Sequence, residues 1–258
     1  MQNLYPLFER NRILKKELLW SLRDYSFAHV QLEYQEYGQG LLLGWEVRLE
    51  GNTLIIGPGI LKYNQFICIL TEDIRILCRP EDQFQYVRLR IDIDKTSPDY
   101  IAYRIEPVLT MDGIKKENEY ELCRFHLRAG AQLRDRYKDF RDMGTEYDTI
   151  NLIYGDWGGL GGNSIAPAVT RYFAEIILGE ENCRPEDSAF AYMCLSHAGS
   201  VPLKALLSYT KKRGGNPEKE QTGLSDIYEC LCGVCDHIRS GERMGKGGKK
   251  ERRQIFVD

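Results

Sequence analysis

The stretch GLLLGWEVRLEGNTLIIGPG, residues 40–59, decides the fold because the apolar pattern changes there from a helical to an extended one. From Leu41 onwards the period of the apolar residues shortens from about 3.6 residues to about 2. Apolar and charged side chains alternate over residues 45–50, a tight turn fits residues 51–52, and an apolar run returns over residues 54–56. The stretch therefore predicts a β-hairpin.

The segment before this hairpin predicts one long helix over residues 11–37, which neither Gly nor Pro interrupts. Apolar residues recur along it at helical spacing, at Leu14, Leu18, Leu22 and Tyr25. Glycines follow the segment and provide a stop signal. Because its aromatic residues fall on more than one face, we expect the following sheet to cover one face and a partner chain to cover another.

Further strand-like runs follow the hairpin, at residues 66–70, 73–77, 86–93, 100–108 and 119–127. The first two are expected to lie on either side of a tight turn. The third and fourth are expected to pair across a short polar loop. About seven short strands with turn signals between them predict an antiparallel β-sandwich or a small barrel.

The last third of the chain returns to a helical pattern. Apolar stripes, helix caps and polar or glycine stops predict four short helices. Before them, five glycines fall within residues 154–162, which is typical of a linker. We therefore predict an α+β fold with the following parts: an N-terminal helix (1–38), an antiparallel β domain (39–130), a linker or transition (131–163), a helical domain (164–240) and a flexible basic tail (241–258).

The bulk composition of the 258-residue chain is that of an ordinary globular protein, with 43% hydrophobic and 28% charged residues. Its formal net charge of −3 argues against a dedicated nucleic-acid binder, which usually carries a basic excess. The sequence has no apolar run near the ~18 residues of a transmembrane helix, and its N-terminus lacks the apolar core of a secretory signal. We therefore expect a cytoplasmic protein without membrane contact, whose eight cysteines are reduced.

Two motifs have residue types that occur in phosphate-binding or metal sites. The glycine-rich residues 155–162 precede a helix, as a phosphate-binding loop does, but they lack the lysine with which a Walker loop reaches the phosphates. The cluster of Cys230, Cys232, Cys235 and His237 would suit zinc. Its ligand spacing is not that of a zinc site, and Cys230 and Cys232 point about 200° apart on a helix. Tight turns and buried cysteines are the favoured interpretations.

Other ionisable groups form no recognisable catalytic arrangement. Asp92, Asp94 and Asp99 flank a predicted loop without the residue order of a calcium loop, so a solvated turn is favoured. The four histidines fall in different predicted elements, and none lies near a Ser or Cys in a nucleophile setting. We therefore predict no catalytic residue, no metal, no cofactor and no enzymatic activity.

Two passages resemble phage tail, baseplate and fibre-attachment proteins. The first joins residues 40–47, 54–60 and 66–68, where a strand pair is followed by a Pro-Gly turn and another strand. The second is the strand and turn at residues 120–130. The chain is also similar to a group of uncharacterised clostridial proteins, some of which carry the label "DNA and RNA helicase". The sequence does not support that label, because it lacks a Walker lysine.

The resemblance implies a structural subunit of a phage-tail-like contractile injection particle, acting in the baseplate by protein–protein assembly. Its partners would be other subunits of the particle, including copies of itself, and it would reside in the cytoplasm within that particle. The predicted partner interface comprises Leu14, Leu18, Trp20, Leu22, Tyr25, Tyr34 and Trp45.

Two alternatives remain open from the sequence. One is a nucleic-acid-binding or regulatory module that uses the basic tail at 241–258 and the arginine-rich strand at 86–93. The other is a zinc- or nucleotide-dependent enzyme.

Overall fold

The computed structural model describes residues 13, 15–145, 147–213 and 223–240. Within these ranges the fold is α+β, as predicted, with five α-helices and three β-sheets. None of the three sheets closes into a barrel in the described part of the chain.

The helices and strands alternate little along the chain, so that one helix precedes the sheets and four follow them. The helices are α1 (Lys16–Glu33), α2 (Pro167–Leu178), α3 (Pro185–Ser196), α4 (Leu203–Lys212) and α5 (Leu224–Ser240). The strands are β1 (Gly40–Gly44), β2 (Val47–Glu50), β3 (Thr53–Ile56), β4 (Gly59–Tyr63), β5 (Phe66–Leu70), β6 (Ile74–Leu77), β7 (Phe84–Asp94), β8 (Ala102–Thr110), β9 (Glu119–His126), β10 (Trp157–Gly159) and β11 (Gly162–Ser164).

The predicted hairpin is confirmed as β2 and β3. Val47 pairs with Ile56 and Glu50 with Thr53 in an antiparallel register, and Gly51 adopts the positive φ of a tight turn. β6 then joins the free side of β3 to complete a three-stranded sheet, in the order β2-β3-β6.

Two strands that the sequence placed around one turn belong to different sheets. β5 pairs with β4, whereas β6 pairs with β3. The short link at residues 71–73 therefore crosses between sheets instead of closing a hairpin. Turn-forming residues are compatible with a hairpin and with a link that crosses between sheets. Their pattern alone therefore predicts the shorter connection, which is the hairpin.

The glycine-rich segment predicted as part of a linker forms two strands. β10 runs parallel to β1, and β11 pairs with β10, so the largest sheet has the order β11-β10-β1-β4-β5. The predicted antiparallel domain of residues 39–130 thus shares a sheet with residues of the predicted linker, and β1 pairs with one of their strands in parallel. Glycine makes this pairing possible, because a Cβ on Gly158 would lie 2.3 Å from the carbonyl oxygen of Gly38.

The third sheet has the order β8-β7-β9, and its long central strand confirms the predicted pairing of the runs at 86–93 and 100–108. Its buried face joins a continuous apolar core that extends from Leu41 in β1 to Ile238 in α5. Aromatic rings continue this core between the helices, where Phe190 of α3 stacks on Tyr209 of α4 with 3.9 Å between ring centroids. The sheets and the four later helices therefore share one core.

Asp142 holds the irregular segment between β9 and β10 in place. Arg134 donates two hydrogen bonds to its carboxylate, of which Nη2 to Oδ1 measures 2.9 Å, and the backbone N–H of Lys138 donates another at 2.8 Å. These bonds, chiefly those from Arg134, lower the pKa of Asp142 from 3.8 to about 2.

We expect the pairing of Arg134 with Asp142 to make the fold sensitive to acid. Because the folded pKa lies below the unfolded one, the stabilisation is complete above about pH 4 and is lost as the pH falls towards 2. Asp142→Asn should lower the free energy of unfolding at neutral pH and flatten its decline between about pH 4 and 2, measured by urea unfolding. Asp99→Asn, in an exposed loop, should keep the wild-type decline; an unaltered acid profile in Asp142→Asn would contradict the prediction.

Candidate assembly surface around the N-terminal helix

The helix α1 leaves its apolar side chains facing solvent. Within the described residues, no side chain of α1 is buried. Its exposed large apolar residues are Leu19, Trp20, Leu22, Tyr25, Phe27 and Leu32. A helix in water is normally stabilised by burying an apolar face, and the described part of this chain does not bury one for α1.

Local interactions support α1 only weakly. Among the described residues, its N-cap Lys15 makes no side-chain capping bond, and its last turn contains no basic residue. Ser21 and Ser26 direct their hydroxyls back to carbonyls one turn earlier in the same helix. The position of α1 must therefore come from a contact with the rest of the chain.

Lys62 of β4 provides that contact. Its Nζ donates hydrogen bonds to the backbone carbonyls of Tyr34, Gln35 and Tyr37, at 2.8, 2.9 and 2.8 Å. These carbonyls lie just beyond the end of α1, where the helix dipole favours a cation. Partial burial lowers the pKa of Lys62, which reflects the desolvation cost of placing the ammonium group there.

A groove of about 740 Å³ separates α1 from the sheets. One wall is the side of α1 that carries Phe27 and Val30, and the floor is β5, an edge strand among the described strands. The opposite wall is the loop and strand start at residues 97–103. Apolar side chains dominate the lining, and several of them are exposed, including Ile69, Tyr100, Ile101 and Tyr103. The groove and α1 form one continuous apolar surface, here named the α1 surface.

The predicted interface residues divide between this surface and the core. Trp20, Leu22 and Tyr25 are exposed on α1, and Leu18 is half-buried there. Leu14 lies outside the described residues. The prediction that these side chains meet a partner remains a prediction.

The prediction that Trp45 and Tyr34 belong to a partner interface is corrected, because both side chains are buried within this chain. Trp45 is 2% exposed; its Nε1 donates to the carbonyl of Ile60 at 2.8 Å, and its ring packs on Gly59, where no Cβ could fit. Tyr34 is 8% exposed and packs edge-on against Tyr37. The sequence pattern does not distinguish an aromatic ring that fills its own core from one that awaits a partner.

Sequence reasoning missed the half of the surface that lies outside α1. Tyr100, Ile101 and Tyr103 follow a loop that the sequence predicts as a solvated turn, and Ile69 lies on the predicted strand at residues 66–70. The available signal was the apolar run directly after Asp99, where a turn normally continues with polar residues.

The cysteine cluster of α5 is packed into the core. Burial raises the pKa of Cys232 to about 11 and that of Cys235 to about 12, so both thiols are protonated at neutral pH. Cys230 donates instead to the carbonyl of Thr210. Within the described ranges, no group of three His, Cys, Asp or Glu side chains is placed to hold a metal ion.

The arginine-rich strand predicted for the nucleic-acid alternative has its arginines engaged. Arg88 is 1% exposed and donates to the carbonyls of Asp112 and Ile114. Arg90 binds one carboxylate oxygen of Glu119 through two nitrogens, at 2.7 and 3.0 Å. The basic tail lies outside the described residues. Of the helices that the structure describes, none has the length and apolarity to span a bilayer.

Comparisons with known proteins add the following findings. No protein-family model matches the chain, and no curated protein matches it in sequence. A crystal structure of TssK is similar with a TM-score of 0.44 and 7% identity, covering 94% of this chain and 70% of that one. The TssK-TssF-TssG baseplate subcomplex of the type VI secretion system, from cryo-electron microscopy, has a TM-score of 0.42, 8% identity, and 91% and 100% coverage. The baseplate complex from the type VI secretion system has a TM-score of 0.37, 10% identity, and the same coverages. These TM-scores and identities are too low to assign a function. The function of this chain therefore has to be inferred from its own surfaces.

We expect Lys62→Met to release the end of α1. The substitution removes three hydrogen bonds from a charged donor, which should destabilise the docking of α1 by about 1–3 kcal/mol. Hydrogen exchange of the amides in α1 should then quicken by roughly 5- to 150-fold, while exchange in β7 stays unchanged. Lys204→Met, at an exposed position of α4, is the matched control. Equal protection of α1 in both variants would show that Lys62 does not anchor it.

Proposed function

We propose that this protein is a non-enzymatic structural subunit of a phage-tail-like contractile injection particle, acting in its baseplate. It binds neighbouring subunits, including copies of itself, through the α1 surface, and it does so in the cytoplasm. The observation that supports this proposal most directly is the exposure of α1, a helix rich in apolar residues that buries none of its described side chains.

The size of the α1 surface supports an assembly role. Its exposed apolar residues, with about 150–250 Å² for each fully covered aromatic, offer on the order of 1,000 Å² per chain. The largest apolar patch of a typical monomer is about 300–600 Å². A stable interface buries about 800 Å² on each partner. The α1 surface therefore has the size of an interface.

The class of particle in this proposal rests on the resemblance over residues 40–130. The structure gives a packing reason for the short Pro-Gly motif of that resemblance. The Pro-Gly turn that precedes β4 brings Gly59 against the ring of Trp45, which could not pack there against a larger residue. The motif thus shapes the connection between two sheets and carries no reactive group. A baseplate role is also what is named for the proteins of the similar solved structures.

The architecture suits a subunit that acts by packing. One continuous core joins β1 to α5, so a contact made at the sheets is backed by the helical part of the chain. α1 leaves this body at a point held by Lys62, which sets the angle at which the helix meets a neighbour. The edge strand β5 and the loop at 97–103 extend the same docking face.

The proposal is tested by weakening the groove and measuring assembly. Phe27→Ser combined with Tyr100→Ser removes two exposed rings from opposite walls of the groove. We expect the affinity for the purified neighbouring baseplate subunits to fall by at least about 30-fold, because each ring is about two thirds exposed and the complete burial of such a ring contributes about 1.5–3 kcal/mol. The measurement is interferometry with the full-length chain and each candidate subunit.

The control is Tyr192→Ser, which removes a comparably exposed ring from α3. It should bind like the wild type. A wild-type chain that binds none of the sheath, tube, spike or baseplate subunits of a candidate particle would contradict the proposal.

A further inference from the structure

The outward side of α1 carries a second pattern that the groove does not use. Arg23, Phe27 and Val30 line the groove. On the opposite side, residues separated by intervals of four, three, four and three form a single stripe: Leu18, Leu22, Tyr25, His29 and Leu32. This spacing is that of the seam of a coiled coil, in which alternating a and d positions meet a second helix. The stripe is named the α1 seam.

The α1 seam is open in the part of the chain that the structure describes. None of its five residues is buried; Tyr25 is 69% exposed and Leu22 44%. Leu32, at its end, also borders a shallower groove beside Lys62. Among the described strands, β5 makes the closest contact with α1, and it lies on the groove side of the helix. A neighbour bound in the groove would therefore leave the seam uncovered, and the seam needs its own occupant.

The charges at the two ends of α1 indicate what that occupant is. At the N-terminal end of α1, the two lysines Lys15 and Lys16 outnumber the one acidic residue, Glu17, whereas Glu33 lies in the last turn, which contains no basic residue. This arrangement is the reverse of what the helix dipole favours. A second α1 in antiparallel orientation would bring its Glu33 to the two lysines and align the dipoles favourably. A parallel second copy would place lysines against lysines.

We propose that two copies of this chain pair through the α1 seam, with their helices antiparallel about a two-fold axis near Tyr25. This inference rests on the proposed function and names one of its partners, a second copy of the chain. The interface is self-complementary in charge and in length, as an isologous contact requires, since each helix is 18 residues long. Tyr25 lies at the middle of the stripe, so the two rings meet near the axis.

The pairing is tested first on the full-length protein by sedimentation. Leu22→Ser with Tyr25→Ser should raise the dimer dissociation constant at least about 100-fold, because four apolar side chains are lost from each dimer. The matched control is Tyr192→Ser with Leu195→Ser on α3, whose residues are 62% and 43% exposed, close to the seam pair. It should sediment as the wild type does. Circular dichroism confirms that both variants fold.

The orientation is tested by charge reversal. Glu33→Lys places a cation in the last turn, which favours the isolated helix, so a loss of pairing cannot be attributed to unwinding. In the antiparallel pair it should weaken association several-fold at low salt. Reversing all three charges, by Lys15→Glu, Lys16→Glu and Glu33→Lys, should restore it. Insensitivity to Glu33→Lys, or a trimer, would overturn the antiparallel pair.

The pairing and the proposed function can fail separately. A wild-type chain that is monomeric alone, yet binds baseplate subunits through Phe27 and Tyr100, would overturn the pairing and leave the proposed function standing. A chain that dimerises through the α1 seam, yet binds no particle subunit, would support the pairing and contradict the proposed function.

Discussion

The ammonium group of Lys62 determines where the first helix leaves the sheets, and the α1 surface depends on that position. An isolated helix of 18 residues is marginal in water, and α1 cannot compensate by burial, because none of its described side chains is buried. Three carbonyls at its C-terminal end are bound instead by one cation. The lowered pKa of Lys62 shows that the cation is held there against a desolvation cost. The helix is thus tied at one end and left open along its sides.

That arrangement gives α1 two distinct faces with separate requirements. The inner face forms a groove with β5 and the loop at 97–103. Aromatic residues from α1, from β5 and from the loop line this groove. The outer face carries the α1 seam, a stripe with heptad-like spacing against which a second helix would pack. Because the two faces lie on opposite sides of α1, occupying one does not block the other. Under the proposed function, a single helix would in this way link two different neighbours within the particle.

The sequence predicted those features that depend on local periodicity and turn chemistry. The β2–β3 hairpin, the β7–β8 pair and the existence of α1 follow from apolar spacing and from residues such as Gly51, which permits a tight turn. It did not predict that the glycine-rich segment after residue 154 would form strands. Glycine serves equally in a loose linker and at a close backbone contact, and only the approach of Gly158 to Gly38 distinguishes the two. For the surface, the exposed part of α1 could be anticipated, but the burial of Trp45 and Tyr34 could not. Trp45 donates to the carbonyl of Ile60, and the carbonyl of Tyr34 binds Lys62, and neither partner adjoins it in the sequence.

The chain combines buried ion pairs with aromatic rings that are exposed to solvent. Inside, it holds ion pairs: Arg88 with Glu119 in the third sheet, and Arg213 with Asp187 at 2.9 Å between α4 and α3, all largely buried. Such pairs recover little net stability, because the desolvation of both charges offsets their attraction, but they penalise any packing that separates them. Outside, the same chain leaves Tyr25, Phe27 and Tyr100 in water. Other rings, such as Phe140 and Phe173, fill the core, so only part of the aromatic content is exposed. Under the proposed function, a second protein surface would remove these exposed rings from water, which would stabilise the assembled state.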